Sequence, residues 1–415
     1  MNKATTKKTA GIIFFLLTTH GFFTMFPYLG CAAVLMDVIA DLAIPPAAAA
    51  FVITIITAVS GVCMFFGGTI IQWIGYVKAF CFSVALAVVG TAVTAAAPDF
   101  TVFMIGRALF AAGFGLNCSI IPALATMWFP GSAFARFNTF QLLGSSVGGA
   151  LAYIVIGPLI QMTGSWRGAY WAFAGILAAY CLACFLFIQY PEGVAESLAQ
   201  QKEAIKAGLI PKPEFELKRV FARRNFVLLT MANILPIICS GLFQTYMPTY
   251  LTLENGMEAA RAAIITGTGV FAGMAGSVIG GLLVGKSDRR KTYLILGNIL
   301  FVAAGLGAVL SKNPMFILVL FILYNVGFYL RMPAMSQYLV EEVVPYDPSI
   351  IAPAAAVTSG IPMLLGLVGS AIAAPMTVSA GYGKTLVIFQ VACLSAILFS
   401  LMLTECGPRA SGKAE

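Results

Sequence analysis

Residues 100–127 read FTVFMIGRALFAAGFGLNCSIIPALATM, a long apolar run in which Arg107 is the only charged side chain. A helix of roughly 20 apolar residues is long enough to cross the hydrocarbon core of a bilayer. The same run contains Gly113-Phe114-Gly115-Leu116, and a related Gly327-Phe328-Tyr329-Leu330 follows in the second half of the chain. This stretch therefore predicts a membrane-spanning helix and an internal repeat.

The composition of the whole chain agrees with a membrane protein. Of the 415 residues, 60% are hydrophobic and only 10% are charged, and the mean hydropathy is +0.94. A soluble globular protein carries about 25% charged residues. The deficit leaves too few charges for a water-facing surface, which excludes a soluble enzyme, a disordered protein and a secreted disulfide scaffold.

Apolar runs of membrane-spanning length recur twelve times along the chain, and one long polar segment divides them into two groups of six. We expect an N-terminal six-helix bundle over 1–190, a cytoplasmic linker over 191–224 that contains a short surface helix between Gly193 and Gly208, and a C-terminal six-helix bundle over 225–415. Pro211 and Pro213 would end the linker helix. The predicted spans are 10–36, 47–71, 78–97, 100–127, 136–161, 168–190, 225–252, 259–284, 291–310, 315–340, 350–378 and 383–404.

The net charge of +8 comes from 24 basic and 16 acidic residues. With the N-terminus inside, 18 basic residues fall in inner segments and only Arg167, Arg261, Lys312 and Lys384 fall in outer loops. This asymmetry follows the positive-inside rule and predicts a plasma (inner) membrane protein with both termini in the cytoplasm. The excess of basic residues is thus explained by membrane topology. We expect no nucleic-acid partner because no basic stretch alternates with stacking aromatics.

Neither the cysteines nor the N-terminus indicates a further site. The nine cysteines lie in or beside apolar spans, and the pair Cys181 and Cys184 is better explained as buried helix packing than as a redox or metal site. With a single histidine, we expect no metal and no cofactor. Lys3, Lys7 and Lys8 precede an apolar run too long for a signal peptide, which predicts an uncleaved first helix.

The two groups of spans repeat one another in the same orientation. Paired glycines and prolines recur at a nearly constant offset, which predicts two six-helix halves related by an axis along the membrane normal. The pairs are Gly67 with Gly280, Gly113 with Gly327, Gly144 with Gly360, Pro158 with Pro375 and Gly21 with Gly241.

This arrangement resembles the major facilitator superfamily of secondary transporters from Ala10 to about Leu403. Trp128-Phe129-Pro130 resembles the loop after the fourth helix of that family, Ser165-Trp166-Arg167 the turn before the sixth, and Gly106-Arg107 its fourth-helix motif. The resemblance implies an all-α membrane protein, with twelve transmembrane helices in two pseudo-symmetric six-helix bundles. The glycine-rich fourth helix is most similar to the oxalate/formate, monocarboxylate and cyanate-type anion carriers.

One family motif departs from its usual pattern. The loop after the second helix usually carries an acid and arginines, whereas Gly68 is followed here by Gln72, Trp73, Tyr76 and Lys78. The corresponding loop of the second half, 281–291, keeps several basic residues but shifts the acid. The motif therefore does not predict a salt-bridge latch in the first half.

Three ionisable side chains stand out because they lie well inside the predicted spans: His20 in the first helix, Arg107 in the fourth and Arg331 in the tenth. The resemblance implies that helices one, four, seven and ten line a central cavity. No carboxylate lies at mid-depth, and a buried cation without a partner costs several kcal/mol. A guanidinium matches a carboxylate or phosphate with two parallel hydrogen bonds, so we expect an anionic substrate, most simply an organic carboxylate.

Each candidate also has a structural interpretation. Arg331 and Arg107 can be structural cations bonded to helix carbonyls, and His20 can be a neutral hydrogen-bonding side chain or the carrier of a coupling proton. Arg331 shares a face with Tyr324, Phe328 and Met335 by its i, i+4, i+7, i+11 spacing. The remaining substrate-binding candidates are weaker because polar and aromatic residues also serve packing; they are Tyr28, Asn117, Tyr246, Tyr324 and Asn325, with Asn233 and Gln244 after them.

Together these features predict a secondary transporter, not an enzyme, that moves a small organic anion by alternating access. No phosphate-binding Gly-Lys-Ser/Thr loop is present, so ATP is not expected to drive it. The partners would be the substrate, a coupling proton or counter-anion and the lipid bilayer, and we expect a monomer. The alternatives are a drug or other solute exporter of the same fold, and a transporter-like sensor that binds without translocating.

Overall fold

A computed structural model of the protein describes residues 3–44, 46–207, 209, 221–287, 289–343, 354 and 356–406. This part of the chain is helical and contains no strand. The helices are α1 Lys3–Ala33, α2 Leu35–Asp41, α3 Pro46–Ile74, α4 Tyr76–Ala96, α5 Phe100–Trp128, α6 Ser132–Thr163, α7 Trp166–Phe187, α8 Val194–Lys206, α9 Arg224–Leu253, α10 Ala259–Lys286, α11 Arg290–Leu310, α12 Pro314–Val343, a π-helical turn Ala356–Gly360, α13 Ile361–Ala380, α14 Tyr382–Ala392 and α15 Leu394–Met402.

Eleven helical segments among the described residues are long and apolar enough to cross a membrane. The sequence predicts twelve, and the span at 136–161 corresponds to α6, which is 32 residues long but is not among the eleven. The last span is built from α14 and α15 together. The predicted linker helix is confirmed as α8, whereas Pro211 and Pro213 lie outside the described residues.

The helices of the two halves pack in the same pattern. In the first half α1 lies against α6, α5 lies against α3 and α4, and α4 lies against α7. In the second half α9 lies against α13, α12 lies against α10 and α11, and α11 lies against α14 and α15. The halves meet where α6 packs on α10 and α3 packs on α13. The division at 191–224 into two bundles and a linker stays a prediction.

Glycines lie at close helix crossings, and they occupy equivalent positions in the two halves. A Cβ atom at Gly113 would lie 2.4 Å from the Ser83 carbonyl oxygen of α4. A Cβ atom at Gly327 would lie 2.6 Å from the backbone nitrogen of Phe301 and 3.0 Å from the Gly297 carbonyl oxygen of α11. Gly327 and Gly297 follow their counterparts, Gly113 and Ser83, by one and the same offset along the chain. In membranes, such small residues let helix backbones approach closely.

In each half, an acidic side chain that follows the first long helix accepts hydrogen bonds from the start of the last spanning helix, which is α7 in the first half and begins with α14 in the second. Asp41, at the end of α2, accepts hydrogen bonds from Trp166 and Arg167 at the start of α7. Glu254, just after α9, accepts bonds from the backbone nitrogens of Tyr382 and Gly383 at the start of α14. A carboxylate is favoured at a helix N-terminus because the first backbone N–H groups have no partner within the helix. In both halves a carboxylate thus joins the segment after the first helix to the start of the last helix.

Candidate functional site

Arg331 is a fully buried cation in α12, with a relative exposure of 0%. Its Nη1 donates to Asn233 Oδ1 of α9 at 3.0 Å, and its guanidinium carbon lies 4.8 Å from the centroid of the Phe328 ring. No described residue forms a hydrogen bond with Nε or Nη2. The amide oxygen and the aromatic ring therefore offset only part of the cost of burying this charge.

No carboxylate compensates for Arg331 within the described spans. Glu341 is the only Asp or Glu in the eleven segments, and it is the last residue of its segment. Glu341 accepts from the Nη2 of Arg290 at 2.9 Å, so its charge is already paired. Arg331 is thus a buried cation whose counter-ion is absent from the described part of the chain.

The face of α12 that carries Arg331 packs inside the C-terminal half. A Cβ atom at Gly297 of α11 would lie 2.8 Å from the Arg331 Cβ. Tyr324, on the same face, is stacked between Phe243 and Phe301, with ring centroids 4.6 and 4.5 Å from its own. All four residues of the predicted face, Tyr324, Phe328, Arg331 and Met335, are buried. The predicted common face is confirmed, and it lies at the seam between α9, α11 and α12.

Asn117 lies at the same place in the first half. Its Oδ1 accepts from the Ser83 hydroxyl of α4 at 2.6 Å. In the second half, Arg331 packs against Gly297 of α11, and Gly297 is the repeat counterpart of Ser83. Asn117 and Arg331, which the sequence predicts to be equivalent, therefore lie at equivalent helix–helix contacts in the two halves. The spacing of the repeat alone could not establish these contacts.

Arg107 is also buried, but most of its hydrogen bonds go to the backbone of α1. Nη1 donates to the Pro27 carbonyl oxygen at 2.6 Å and to the Tyr170 hydroxyl at 3.2 Å, and Nη2 donates to the Tyr28 carbonyl oxygen at 3.3 Å. Nε has no partner among the described residues. These contacts correspond to the structural interpretation of Arg107, since they tie α5 to α1 and α7.

Tyr28 and Tyr329 each pack within their own half. The Tyr28 ring of α1 lies 5.3 Å from the Phe114 ring of α5, and a Cβ atom at Gly273 of α10 would lie 2.5 Å from the Tyr329 ring. Tyr329 is two residues from Arg331, a rotation of about 200° around an α-helix. The two side chains therefore leave α12 on nearly opposite sides, Tyr329 towards α10 and Arg331 towards α11.

His20 is enclosed by aromatic rings within the N-terminal half. Its ring centroid lies 5.6 Å from that of Phe80 in α4 and 6.0 Å from that of Tyr180 in α7. The Tyr180 hydroxyl donates to the Leu16 carbonyl oxygen at 2.7 Å and so is directed elsewhere. Neither ring nitrogen of His20 has a hydrogen-bond partner among the described residues. His20 is 3% exposed, so its described environment is apolar.

The other predicted residues are distributed along the second half. Tyr246 is half-buried against Tyr382, with ring centroids 5.6 Å apart. Asn325 donates to the Phe321 carbonyl oxygen one turn earlier at 2.9 Å. Gln244 is exposed and donates to Ser240. The eight predicted substrate-binding residues therefore do not form a single cluster.

Two connections were not predicted from the sequence. Asn233 was a minor candidate, yet it is the hydrogen-bond partner of Arg331. Its Nδ2 also donates to the Thr358 carbonyl oxygen in the π-helical turn, at 2.8 Å. Pro362 signals this second bond, because proline lacks the N–H that the carbonyl four residues earlier would receive in an α-helix. Tyr170, which binds Arg107, gave no signal in the sequence.

An ion pair joins the ends of α11 and α12 in the second half. Arg290 donates to Glu341 through Nε at 3.1 Å and Nη2 at 2.9 Å. Its Nη1 donates to the carbonyl oxygens of Val284 and Ser287 at the end of α10. Arg290 therefore joins three helices at one end of this half. Asp288, the acid of the predicted loop motif, lies outside the described residues.

The described residues offer no set of three or more His, Cys, Asp or Glu side chains arranged to hold a metal ion. Cys181 and Cys184 are buried thiols on α7.

The sequence family of the chain agrees with this architecture. Residues 10–374 match the family model described as Major Facilitator Superfamily. The chain belongs to the major facilitator superfamily. It is accordingly a multi-pass secondary transporter and not an enzyme.

Three curated relatives of this transporter are carriers or resistance proteins. The hexuronate transporter of Bacillus subtilis is 24% identical over 206 residues, covering 49% of this chain and 48% of the relative. The fosmidomycin resistance protein of Escherichia coli is 29% identical over 232 residues, covering 54% and 51%. The probable sulfoacetate transporter SauU of Cupriavidus necator is 24% identical over 241 residues, covering 55% and 54%. The matches thus span about half the length of each relative. None of these three is an oxalate, formate or cyanate carrier, so that narrower resemblance stays a prediction.

The fold of this superfamily member is similar to that of the proton:xylose symporter XylE bound to 6-bromo-6-deoxy-D-glucose. The TM-score is 0.77 over 96% of this chain and 97% of XylE, at 15% sequence identity. At that identity the likeness establishes the fold and carries no information about the substrate.

Proposed function

We propose that this transporter moves a small organic anion, most simply a carboxylate, by alternating access, and that Arg331 binds the anionic group. One observation carries the proposal: Arg331 is completely buried, Nε and Nη2 find no described partner, and no carboxylate lies within reach in the described spans. A carboxylate could accept hydrogen bonds from both nitrogens at once, because they lie on one edge of the planar guanidinium.

The electrostatics of the interior favour the same class of substrate. Arg107 and Arg331 place one buried cation in each half, and Glu341, the only acid of the eleven spans, is paired with Arg290. Two uncompensated positive charges in a low-dielectric interior attract an anion and repel a cation. A cationic drug would need an acidic partner that these spans do not contain.

We assign the contacts to the rest of the substrate to the Arg331 side of α12. The Tyr324 hydroxyl on that side has no hydrogen-bond partner among the described residues, and it can donate to and accept from a polar substrate. In this proposal Arg107, Asn117, His20 and Tyr28 position helices, while Tyr246 and Asn325 shape the C-terminal half around Arg331.

The relatives support an anionic substrate. A hexuronate and sulfoacetate are both organic anions, and one relative is named for each. The relative named for fosmidomycin resistance favours export as a second candidate function. Either direction uses the same anion site.

Proton coupling is constrained by the shortage of acids. No Asp or Glu lies at mid-span in the described segments to carry a coupling proton. We therefore propose that the driving ion is either a counter-anion or a proton carried on the substrate itself. We also propose that the protein is a monomer of the plasma membrane. The distribution of basic residues favours an orientation with both termini in the cytoplasm.

Flux through purified protein in liposomes tests the proposed function. D-glucuronate and sulfoacetate serve as anionic probes and D-xylose as the neutral control. We expect saturable counterflow of at least one anion and none of xylose, with a pH gradient applied in a second series to detect proton coupling. Binding of an anion without flux would favour a sensor, and equal flux of xylose would contradict the anion proposal.

A further inference from the structure

The side-chain amide of Asn233 is bonded at both ends inside the C-terminal half. Its oxygen accepts from Arg331 Nη1 at 3.0 Å, and its nitrogen donates to the Thr358 carbonyl oxygen at 2.8 Å. Asn233 is 0% exposed. A guanidinium can only donate and a carbonyl can only accept, so the chemistry of the two partners fixes the orientation of the amide.

The helix is interrupted near the Thr358 carbonyl. Pro362 lies four residues later and has no N–H to offer, and residues Ala356–Gly360 form a π-helical turn. Such turns within α-helices are frequent at functional sites. Asn233 therefore supplies a hydrogen bond that Pro362 cannot supply, and it links that unusual turn to Arg331.

The same turn lies against the other half of the transporter. A Cβ atom at Gly360 would lie 3.1 Å from the Phe65 ring and 3.2 Å from the Gly61 carbonyl oxygen of α3. A Cβ atom at Gly61 would in turn lie 3.1 Å from the Leu364 side chain of α13. A continuous set of contacts thus runs from Arg331 through Asn233 and the π-helical turn to the α3–α13 interface between the halves.

We propose that Asn233 is a positioning residue that couples anion binding at Arg331 to the movement of the two halves. An anion bound to Nε and Nη2 restrains the guanidinium, and the guanidinium then holds the Asn233 amide through Nη1. The amide in turn holds the π-helical turn against α3. This inference rests on the proposed role of Arg331. It predicts that loss of the amide impairs translocation more than binding.

Asn233→Ala tests the coupling in reconstituted protein, with D-glucuronate and sulfoacetate as probes. We expect the maximal counterflow rate to fall about tenfold while the equilibrium dissociation constant stays within about threefold of wild type. Asn298→Ala is the matched control: Asn298 is a buried asparagine that donates to Ser400 in the same half. An unchanged rate in Asn233→Ala, or an equal fall in Asn298→Ala, would overturn the coupling.

Pro362→Ala supplies a second test that is independent of flux. An alanine at this position offers an N–H to the Thr358 carbonyl, so the Asn233 amide becomes dispensable there. We expect Asn233→Ala to lower the melting temperature less in the Pro362→Ala background than in wild type. Equal losses in both backgrounds would overturn the inferred bond.

The inference and the proposed function can fail separately. If wild type moves the anion and Arg331→Ala does not, but Asn233→Ala behaves as wild type, only the coupling role is wrong. If wild type moves neither probe, or Arg331→Ala moves them normally, the anion site itself is wrong and the coupling role falls with it.

Discussion

The guanidinium of Arg331 in α12 and the side-chain amide of Asn233 in α9 are joined by a hydrogen bond of 3.0 Å that uses one of the three guanidinium nitrogens. Nε and Nη2 have no partner in the described part of the chain. The positive charge is thus held in place on one side and left available on the other.

Arg331→Lys should impair the transporter although the charge is kept. A lysine ammonium is a compact point charge and cannot bond Asn233 and two anion oxygens with one planar group. We expect the KM for D-glucuronate to rise about tenfold or more, measured as counterflow in liposomes. Arg167→Lys is the control, because Arg167 is partly exposed, pairs with Asp41 and should leave KM unchanged. A wild-type KM in Arg331→Lys would show that the planar guanidinium is not required for substrate binding.

Arg107→Ala should destabilise the fold more than it weakens binding. The substitution removes three hydrogen bonds from the guanidinium and leaves the Pro27 and Tyr28 carbonyl oxygens without it. Lost bonds to a buried charge predict a cost of about 2 kcal/mol or more, seen as a lower melting temperature. The remaining folded protein should bind D-glucuronate with near wild-type affinity. An unchanged melting temperature together with lost binding would identify Arg107 as a substrate ligand.

His20→Phe should be tolerated. The imidazole is surrounded by Phe80 and Tyr180, and its nitrogens form no hydrogen bond with the described residues. Replacing a buried polar group that lacks a partner by an aromatic ring of similar shape is neutral or stabilising. We expect the melting temperature to hold or rise and the pH profile of counterflow to stay unchanged. A flattened pH profile would instead assign His20 to proton coupling.

Gly327→Ala should separate α11 from α12. The added Cβ would meet the Phe301 backbone nitrogen at 2.6 Å, and backbone cannot move aside as a flexible side chain can. Overpacking of this kind costs about 1–3 kcal/mol, and thermal unfolding in detergent should reveal it. Gly366→Ala is the matched control because it has open space around its Cβ position. If both variants melt at the same temperature, the close crossing does not limit stability.

Arg290 and Glu341 should show strong energetic coupling. Arg290→Ala removes the cation that pairs with the partly buried Glu341 carboxylate, and it also removes the hydrogen bonds to the Val284 and Ser287 carbonyl oxygens. Glu341→Gln, in contrast, leaves those two carbonyl oxygens as acceptors for the Arg290 guanidinium. We expect a coupling energy of about 1–3 kcal/mol in a double-mutant cycle of thermal stabilities. Additive effects of the two substitutions would mean that the pair contributes nothing beyond its separate contacts.

Much of the fold could be predicted from the sequence because it follows from hydropathy and periodicity. Apolar runs located the spans, and the offset between the two halves correctly matched the Gly113 crossing with the Gly327 crossing. The Arg290–Glu341 ion pair of the second half, by contrast, was not predicted from the sequence.

The orientation of side chains around each helix could not be predicted in the same way. The spanning helices are apolar on most sides, so no polar face distinguishes the Arg331 side of α12 from the Tyr329 side. The Asn233–Arg331 bond joins residues 98 positions apart, and no local pattern encodes it. Pro362 did mark a carbonyl that lacks the usual α-helical donor four residues later, but its bond to the Asn233 side chain could be found only in three dimensions.

Equilibrium binding of D-glucuronate and sulfoacetate to purified wild type and Arg331→Ala, measured by isothermal titration calorimetry, tests the anion site most directly. Wild type should bind at least one of the two anions. Arg331→Ala should remain folded and bind that anion about 100-fold more weakly, since the charge-assisted hydrogen bonds to the guanidinium are lost. Wild-type affinity in folded Arg331→Ala would contradict the assignment of Arg331 as the anion-binding residue.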